Sequence, residues 1–451
     1  MPRPNVIFVF GDQWRAQATG YADDPNVRTP NLDRLAAQSV NFTNAVSGCP
    51  ICTPYRASLI TGQYPLTHGL FVNDVCLSDR ATSIAQAFTQ GGYNTAYIGK
   101  WHLDGHGRTA FIPRERRQGF DFWRVLECTH SYNNSMYYGD DPTPLKWEGY
   151  DAIAQTRCAT EYIRQYDSDK PFLMMLSWGP PHNDYATAPA EYRRMYDPAC
   201  LTLRPNVFEA AWHPKNYGDM ARIRADLAGY YSHCSALDDC MGAIVQSIRD
   251  KHIEGDTILV FTSDHGDMLG SQGCWRKQVP YEESICVPFL LRWPAGLGLH
   301  GTQTPLIIDA PDIMPSLLGL CRLAIPQTVE GRNYAEGVTS GQTDGLDDTA
   351  VLTEVHPFTE WLRENGGREY RGLRTRRHTY VRDLNGPWLL FDNQADPYQM
   401  TNLVGSAEHE ALKDQLDALL TGKLAQRGDE FKPSEYYLRK WGYTRFLPKQ
   451  P

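Results

Sequence analysis

The sequence has no excess of basic residues and no long basic run: 44 Lys and Arg stand against 53 Asp and Glu, for a formal net charge of −9. This balance argues against duplex nucleic acid and against an anionic membrane surface as partners. No apolar stretch approaches the roughly 20 residues that a membrane-spanning helix needs. The apolar run at 6–10 is also shorter than the apolar region of a signal peptide. A cytoplasmic location is therefore expected, or a periplasmic one if a leader was removed.

Regularly spaced cysteines are also lacking, since the eleven present are scattered and odd in number, which argues against a disulfide framework. Cys49 and Cys52 nevertheless form a C-x-x-C, which is consistent with a redox pair, half of a zinc site or two unrelated thiols. A structural zinc site needs four ligands, and the sequence has no second C-x-x-C. A thioredoxin-like pair would follow the first strand of a small βαβ unit, whereas Cys49 lies further along the chain. The sequence therefore disfavours the zinc and redox interpretations.

Short apolar runs alternate with segments of helical periodicity along most of the chain. Strands are predicted at 6–10, 95–98, 172–176 and 257–261, and helices at 31–39, 82–90, 151–165 and 220–249. This alternation predicts an α/β fold with a large, mainly parallel sheet sandwiched by helices.

The pattern changes after residue 345. Segments rich in β-forming residues lie around 374–381 and 388–391, a turn lies around 396–403, and a final helix is predicted near 408–420. We therefore predict two domains. Residues 1–365 carry the main sheet, and residues 366–451 form a smaller C-terminal α+β subdomain that contains an antiparallel sheet.

Chemically active side chains directly follow each of the four predicted strands. They are Asp12 and Gln13, then Lys100 and His102, then His182, and finally Asp264 and His265. In a parallel sheet, ligands bind outside the carboxyl ends of the strands. Any one of these residues alone could be an ordinary surface or structural group, but together they predict an active site at this edge.

Cys52, Pro54 and Arg56 form a C-x-P-x-R that resembles the signature of the type I, formylglycine-dependent sulfatases of the alkaline phosphatase superfamily. Further motifs of that family follow in order over nearly the whole chain: Asp12-Gln13, GKWH at 99–102, PPH at 180–182, SDHG at 263–266 and Lys277. The resemblance implies an alkaline phosphatase-like fold, with residues 1–365 as the catalytic domain of a sulfuric ester hydrolase. Two residues depart from the pattern, because Tyr55 replaces a usual Ser and Gln13 replaces a common second Asp. The Asp-Gln pair is similar to that of choline sulfatases and phosphonate monoester hydrolases.

The resemblance also implies how the reaction proceeds. A separate maturation enzyme oxidises Cys52 to formylglycine, one hydroxyl of the aldehyde hydrate attacks sulfur, and the alcohol leaves. Loss of the proton from the second hydroxyl then expels sulfate and regenerates the aldehyde. The implied roles are a base for His102, an acid for His182, sulfate binding for Lys100 and Lys277, and a contact to the hydrate for Arg56.

The expected metal ligands are Asp12, Gln13, Cys52, Asp264 and His265. Oxygen ligands suit a hard cation, so Ca²⁺ is expected first, with Mn²⁺ or Mg²⁺ as alternatives because His265 adds nitrogen. A helix is predicted to begin near Pro54, which would place the nucleophile at a helix N-terminus, where developing negative charge is favoured. Asn73 is expected either to contact the sulfate or to cap a turn.

Hydrolysis of an organic sulfate monoester is therefore the leading hypothesis, and a sulfated carbohydrate is the expected substrate. Many aromatic residues and the similarity of 179–184 to carbohydrate sulfatases favour that substrate. The alternatives are a phosphonate monoester or phosphodiester hydrolase and a non-catalytic relative that binds sulfated glycans. A homo-oligomer is left open, because the aromatic segment at 436–441 could pack on a neighbouring subunit or on its own chain.

Overall fold

Helices and strands follow one another along the chain in the computed structural model, which describes residues 3–209, 219–343, 345–358, 362 and 367–447. The strands are β1 (Asn5–Asp12), β2 (Val40–Val46), β3 (Asn94–Lys100), β4 (Phe122–Leu126), β5 (Met136–Tyr137), β6 (Leu145–Lys146), β7 (Phe172–Pro181), β8 (Thr257–Ser263), β9 (Phe289–Arg292), β10 (Thr302–Asp309), β11 (Thr349–Glu354), β12 (Tyr370–Thr375), β13 (His378–Asp383) and β14 (Gly386–Asp392). The helices are α1 (Pro30–Ala36), α2 (Cys52–Thr61), α3 (Pro65–His68), α4 (Ile84–Gln90), α5 (Asp151–Gln165), α6 (Ala190–Arg193), α7 (Met220–Asp250), α8 (Glu282–Ile285), α9 (Pro294–Leu297), α10 (Ala310–Leu320), α11 (Ala335–Ser340), α12 (Glu410–Gln426) and α13 (Ser434–Lys440).

The main sheet has eight strands in the order β10-β2-β9-β8-β1-β7-β3-β4. β9 runs antiparallel to both β2 and β8, and the other strand pairs are parallel. The predicted α/β fold with a mainly parallel sheet is therefore confirmed. β1 lies between β8 and β7, and β3 lies next to β7, so the four predicted strands are neighbours.

Both faces of this sheet are buried, which explains why its central strands are continuous apolar runs. Phe8 and Phe10 of β1 belong to the core on one face, together with residues of α2, α4 and α10. Ile7 and Val9 point to the opposite face and belong to a second core with residues of α5 and α7. Alternation of side chains along the strand thus divides β1 between two cores.

The helix that carries Cys52 begins at Cys52 itself, two residues before the predicted start. Pro54 still lies in its first turn, where a missing backbone N–H costs little. All ten residues of α2 are buried, and the helix ends at Gly62 with φ of +69°. This helix is therefore an internal element of the core, with its N-terminus at the edge where the strands end.

The C-terminal part contains the expected antiparallel sheet, in the order β11-β12-β13-β14. The segment 374–381 is a hairpin, because β12 ends at Thr375 and β13 begins at His378. The predicted final helix is α12, which is longer than expected at its C-terminal end. The predicted domain boundary at 365/366 lies outside the described residues.

The aromatic segment near the C-terminus packs on its own chain. Tyr437 and Leu438 are buried in the core that covers one face of the main sheet. The ring of Phe71 lies 6.3 Å from that of Tyr437 and 5.5 Å from that of Tyr443. Among the described residues, no helix has both the length and the apolar character needed to cross a membrane.

β3 and β7 approach each other closely at Gly99, near the edge where both strands end. Its φ is +102°, and a Cβ added there would lie 2.0 Å from the backbone oxygen of Ser177. We expect Gly99→Ala to lower the free energy of unfolding by about 3 kcal/mol, measured by urea denaturation, because strain and a clash with backbone combine.

Gly149→Ala is the matched control, since Gly149 has a φ of +70° and its added Cβ would meet no heavy atom within 4 Å. It should lose only about 1 kcal/mol, the cost of the left-handed conformation. Equal losses in the two variants would contradict the close approach of the strands.

Candidate active site

Polar side chains from four strand ends meet the start of α2 at one edge of the main sheet. The group consists of Asp12, Gln13, Cys52, Arg56, Lys100, His102, His182, Asp264, His265 and Lys277, each of which is 5% exposed or less. The structure thus brings the predicted site residues together in a buried cluster. Burial of so many ionisable groups requires that each charge be paired.

Arg56 connects the nucleophile's helix to the strands. Its guanidinium donates to the two carboxylates at this edge of the sheet, with Nη2 3.2 Å from Asp12 Oδ2 and 3.0 Å from Asp264 Oδ2. Its Nη1 donates to the backbone oxygen of Lys100 at 2.9 Å and to Ser177 Oγ at 2.8 Å. The guanidinium also lies 5.0 Å from the centre of the Phe10 ring. Arg56 therefore connects α2 with the strand ends and holds the site together. Its contact with a hydrate remains a prediction.

Cys52 and three other potential metal ligands form a close group. One ligand atom each from Asp12, Cys52, Asp264 and His265 lies within 4.8 Å of all the others. Cys52 Sγ is 3.2 Å from His265 Nε2 and 3.7 Å from Asp12 Oδ1. Burial lowers the pKa of His265 to about 4, so its ring is neutral and can coordinate a metal. The donor set of two carboxylates and one imidazole fits a divalent cation.

Two buried lysines add positive charge beside the same sulfur. Lys100 Nζ lies 2.5 Å from Asp12 Oδ2, and Lys277 Nζ lies 3.5 Å from Cys52 Sγ. Burial and the charge of Asp12 raise the pKa of the Cys52 thiol, but Lys100 and Lys277 outweigh them and hold it below its usual value. The surroundings of Cys52 therefore favour negative charge on the residue at this position.

His182 lies with its ring stacked on His130, the two centroids 4.3 Å apart and the planes parallel. Its Nδ1 is 2.9 Å from the backbone oxygen of Asn183, which can only accept, so Nδ1 carries the proton in this contact. Burial, Lys277 and His130 together hold the pKa of His182 well below its usual value. An acid at this position therefore needs the negative charge of a bound substrate to become protonated.

Asn73 and His102 lie beside the start of α2. Asn73 Oδ1 accepts from the backbone N–H of Thr53 at 3.1 Å, so Asn73 caps the first turn of the helix. The backbone oxygen of His102 accepts from Thr53 Oγ1 at 2.9 Å. The capping alternative for Asn73 thus has a contact in the structure, and binding of sulfate by Asn73 remains a prediction.

Comparison with known proteins agrees with this geometry. A family model described as Sulfatase matches residues 4–323, and one described as N-sulphoglucosamine sulphohydrolase, C-terminal, matches residues 270–426. An ulvan-active sulfatase of Formosa agariphila is 46% identical over 449 residues, which cover 98% of this chain and 85% of that protein. The chain belongs to the sulfatase family.

Two solved structures are similar to this sulfatase over nearly its whole chain. A Bacteroides thetaiotaomicron protein from a locus for metabolism of multiple glycosaminoglycans is 28% identical with a TM-score of 0.84, covering 99% of this chain and 100% of the other. The phosphonate monoester hydrolase of Agrobacterium radiobacter is 25% identical with a TM-score of 0.76, covering 94% and 96%. The protein is thus a sulfuric ester hydrolase of the alkaline phosphatase superfamily. Within that superfamily, the sulfatase family generally uses formylglycine and a divalent metal.

Three residues of the sulfatase site escaped the sequence analysis. Asp267 Oδ2 accepts from Gln13 Nε2 at 2.7 Å and also from the hydroxyl of Tyr185, and His130 covers the ring of His182. Asp267 stands two residues after His265, so its spacing offered a weak signal. Tyr185 begins a short 3-10 helix (Tyr185–Thr187) and His130 lies in a loop. The positions of both depend on the folded sheet, and no motif in the sequence connects them to the site.

The two departures from the family pattern have separate explanations. Tyr55 is 2% exposed and belongs to the apolar core with Ala57 and Leu59, so it fills core volume. Gln13 accepts from Lys277 Nζ at 2.8 Å through Oε1 and donates to Asp267 through Nε2. A carboxylate at position 13 could not make that donation and would face Asp267 with like charge.

Cys49 is not a second site thiol in this sulfatase. Cys49 and Cys52 are both free, and Cys49 lies outside the group of metal ligands. Burial and nearby carboxylates raise the pKa of the Cys49 thiol well above its usual value. The neutral, buried Cys49 therefore has the character of a packing residue.

Replacement of Arg56 tests its role as the connection between α2 and the strands. Arg56→Met leaves Asp12 and Asp264 buried without their shared partner, so we expect unfolding to become easier by about 3–5 kcal/mol. The measurement is urea denaturation in the presence of a chelator, which removes any contribution from metal binding.

Arg377→Met provides the control, because Arg377 pairs with Asp392 on the surface. An exposed pair of this kind contributes little, so its unfolding midpoint should match that of the parent. If the two variants unfold at the same urea concentration, Arg56 does not hold the site together.

Proposed function

We propose that this sulfatase hydrolyses a sulfate monoester on a carbohydrate, with formylglycine made from Cys52 as the nucleophile and Ca²⁺ as the metal. The observation that carries the proposal is the position of Cys52, which lies at the N-terminus of α2 among three metal-binding side chains and two lysines. The carbohydrate is supported by the ulvan-active relative and by the similar protein of a glycosaminoglycan-metabolising locus.

The positive side chains would bind the sulfate group. Lys277 lies beside Cys52 and Lys100 lies beside Asp12, so two ammonium groups flank the place where the ester sulfur must sit. A divalent cation held by Asp12, Gln13, Asp264 and His265 would polarise the sulfate oxygens and favour deprotonation of the attacking hydroxyl. The lysines then stabilise charge that develops on those oxygens during transfer.

Two histidines would move protons on opposite sides of the sulfur. His182 would donate to the oxygen of the leaving alcohol, and His102 would take a proton from the hydrate formed at position 52. The pKa of His182 would rise when a sulfate ester adds negative charge to this site, because the ester offsets the charge of the nearby cations. Binding of the substrate would therefore favour the protonated form of His182, which is the form that can act as an acid.

Oxidation of Cys52 must precede folding of the site. Cys52 is 1% exposed and the whole of α2 is buried, so no enzyme could reach the thiol in the folded chain. The maturation enzyme would therefore act on the unfolded segment around the C-x-P-x-R.

Removal of the metal tests the choice of calcium. Three of the four side chains outside position 52 offer oxygen, which Ca²⁺ prefers, and binding to the folded state raises stability by about 2.7 kcal/mol at a hundredfold excess over Kd. After treatment with a chelator, we expect Ca²⁺ to raise the thermal unfolding midpoint more than equal concentrations of Mn²⁺ or Mg²⁺.

Asp264→Asn is the control, because it removes a ligand charge while keeping the shape of the side chain. Its midpoint should respond far less to Ca²⁺. A larger shift with Mn²⁺ or Mg²⁺, or an equal shift in Asp264→Asn, would argue against a calcium site at these residues.

Hydrolysis of phosphonate monoesters is the second candidate, and the Asp12-Gln13 pair favours it. The similar phosphonate monoester hydrolase of Agrobacterium radiobacter makes a direct comparison of substrates necessary. Lys100 and His102 together favour sulfate. The two functions share nucleophile and metal, so only relative turnover separates them.

Activity should be measured on 4-nitrophenyl sulfate, on a 4-nitrophenyl phosphonate monoester and on sulfated ulvan oligosaccharides. We expect kcat/KM to be highest for a sulfate ester, and Cys52→Ala to lower it roughly 1,000-fold or more because the nucleophile is lost. Cys49→Ala, three residues away, should retain activity. Dominant phosphonate turnover would favour the second candidate, and full activity of Cys52→Ala would exclude the proposed nucleophile.

A further inference from the structure

Asp74 lies against His102, although no motif of the sequence includes it. His102 Nε2 is 3.1 Å from Asp74 Oδ1. Arg108 binds the same carboxylate with both ends of its fork, Nε at 3.0 Å from Oδ1 and Nη2 at 2.8 Å from Oδ2. Three residues from separate segments thus form a continuous chain from Arg108 through Asp74 to the imidazole.

The protonation of this chain follows from the donors available. Although partial burial raises the pKa of Asp74, the hydrogen bonds from His102 and Arg108 hold it well below its usual range. An ionised carboxylate can only accept, so the hydrogen between Asp74 and His102 belongs to Nε2. In a neutral imidazole the other nitrogen, Nδ1, then carries a lone pair.

That second nitrogen has no partner among the described residues. His102 is 2% exposed, and Nδ1 is buried without a hydrogen bond. A buried acceptor left unpaired is costly, and a catalytic role is one reason for which a native site retains such a group. The backbone oxygen of His102 accepts from Oγ1 of Thr53, the residue after Cys52, so His102 lies beside the start of the helix that carries the nucleophile.

We infer that Asp74 is a positioning residue that keeps the proton of His102 on Nε2, so that Nδ1 is the base for the hydrate formed at position 52. Arg108 holds Asp74 in place by its paired hydrogen bonds. This inference rests on the proposed function, and it goes further by assigning the tautomer of the base and the residues that select it.

The step that needs this base is the release of sulfate. Nδ1 takes the proton of the free hydroxyl on the sulfated residue, the O–H electron pair forms the C=O bond of the aldehyde, and the C–O bond to sulfate breaks. Sulfate leaves with the electron pair of the broken C–O bond, and His102 becomes an imidazolium whose charge faces ionised Asp74. No oxidant or reductant is required.

Asp74→Asn separates a positioning role from a structural one. Asn can still accept from Arg108 through its oxygen, but its NH₂ group then faces His102 and drives the proton from Nε2 to Nδ1. An Asn in place of the Asp of a Ser-His-Asp triad has the same effect, with the geometry intact and the tautomer wrong.

We expect Asp74→Asn to lower kcat about 100-fold or more while KM changes little. The peptide that contains position 52 should then gain the mass of one SO₃ group when the enzyme is denatured during turnover. Independently of activity, ¹⁵N-histidine spectra should show the His102 proton on Nε2 in the parent and on Nδ1 in the variant, with His102→Gln used for assignment.

Asp140→Asn is the matched control, because the exposed carboxylate of Asp140 also accepts from an arginine, the buried Arg117, with Nη1 at 2.9 Å. It should leave kcat, the peptide mass and the His102 spectrum unchanged, and thermal unfolding should show both variants folded. Unchanged kcat in Asp74→Asn, loss of activity without the sulfated peptide, or a proton on Nδ1 in the parent would each overturn the inference. The proposed function fails separately, if the parent itself releases no sulfate.

Discussion

The buried guanidinium of Arg56 is the interaction on which the rest of the site depends. It reaches the carboxylate at the end of β1, the carboxylate that follows β8, the backbone at the end of β3 and a hydroxyl of β7. Arg56 lies one helical turn after Cys52, so these contacts also fix the start of α2 against four strand ends. Only arginine offers enough donors in a rigid plane to make them all. The position of the nucleophile is therefore set by a side chain that need not react.

A balance of buried charge follows from that arrangement. Asp12 and Asp264 face Arg56, Lys100 and Lys277, and the divalent cation that the sulfatase family generally uses would add further positive charge. Gln13 is neutral and keeps this excess, whereas a carboxylate at this position would reduce it, and Gln13 also donates to Asp267. Such a site favours an anionic group that more than one positive charge can contact, and it disfavours a neutral group. Sulfate monoesters are anionic, and in the proposed mechanism the charge of the substrate would favour the protonated form of His182.

Sequence patterns predicted the parts of the molecule that depend on residues close together in the chain. The four strands, the helices between them and the convergence of Asp12, Lys100, His182 and Asp264 follow from apolar runs and from the geometry of a parallel sheet. The antiparallel β9 and the turn between β12 and β13 were not predicted, because both depend on pairing between distant segments. Asp74, His130 and Tyr185 were missed for the same reason, since loops bring them to the histidines and to Asp267 only in the folded chain. Tyr55 likewise departs from the motif because of packing that only the structure shows.

The mass of the tryptic peptide at 35–56 tests the central claim most directly, because it contains both Cys49 and Cys52. In active enzyme we expect an aldehyde at position 52 and an unmodified thiol at position 49, and fragment ions distinguish the two positions. An active enzyme that hydrolyses sulfate esters with thiols at both positions would contradict the account.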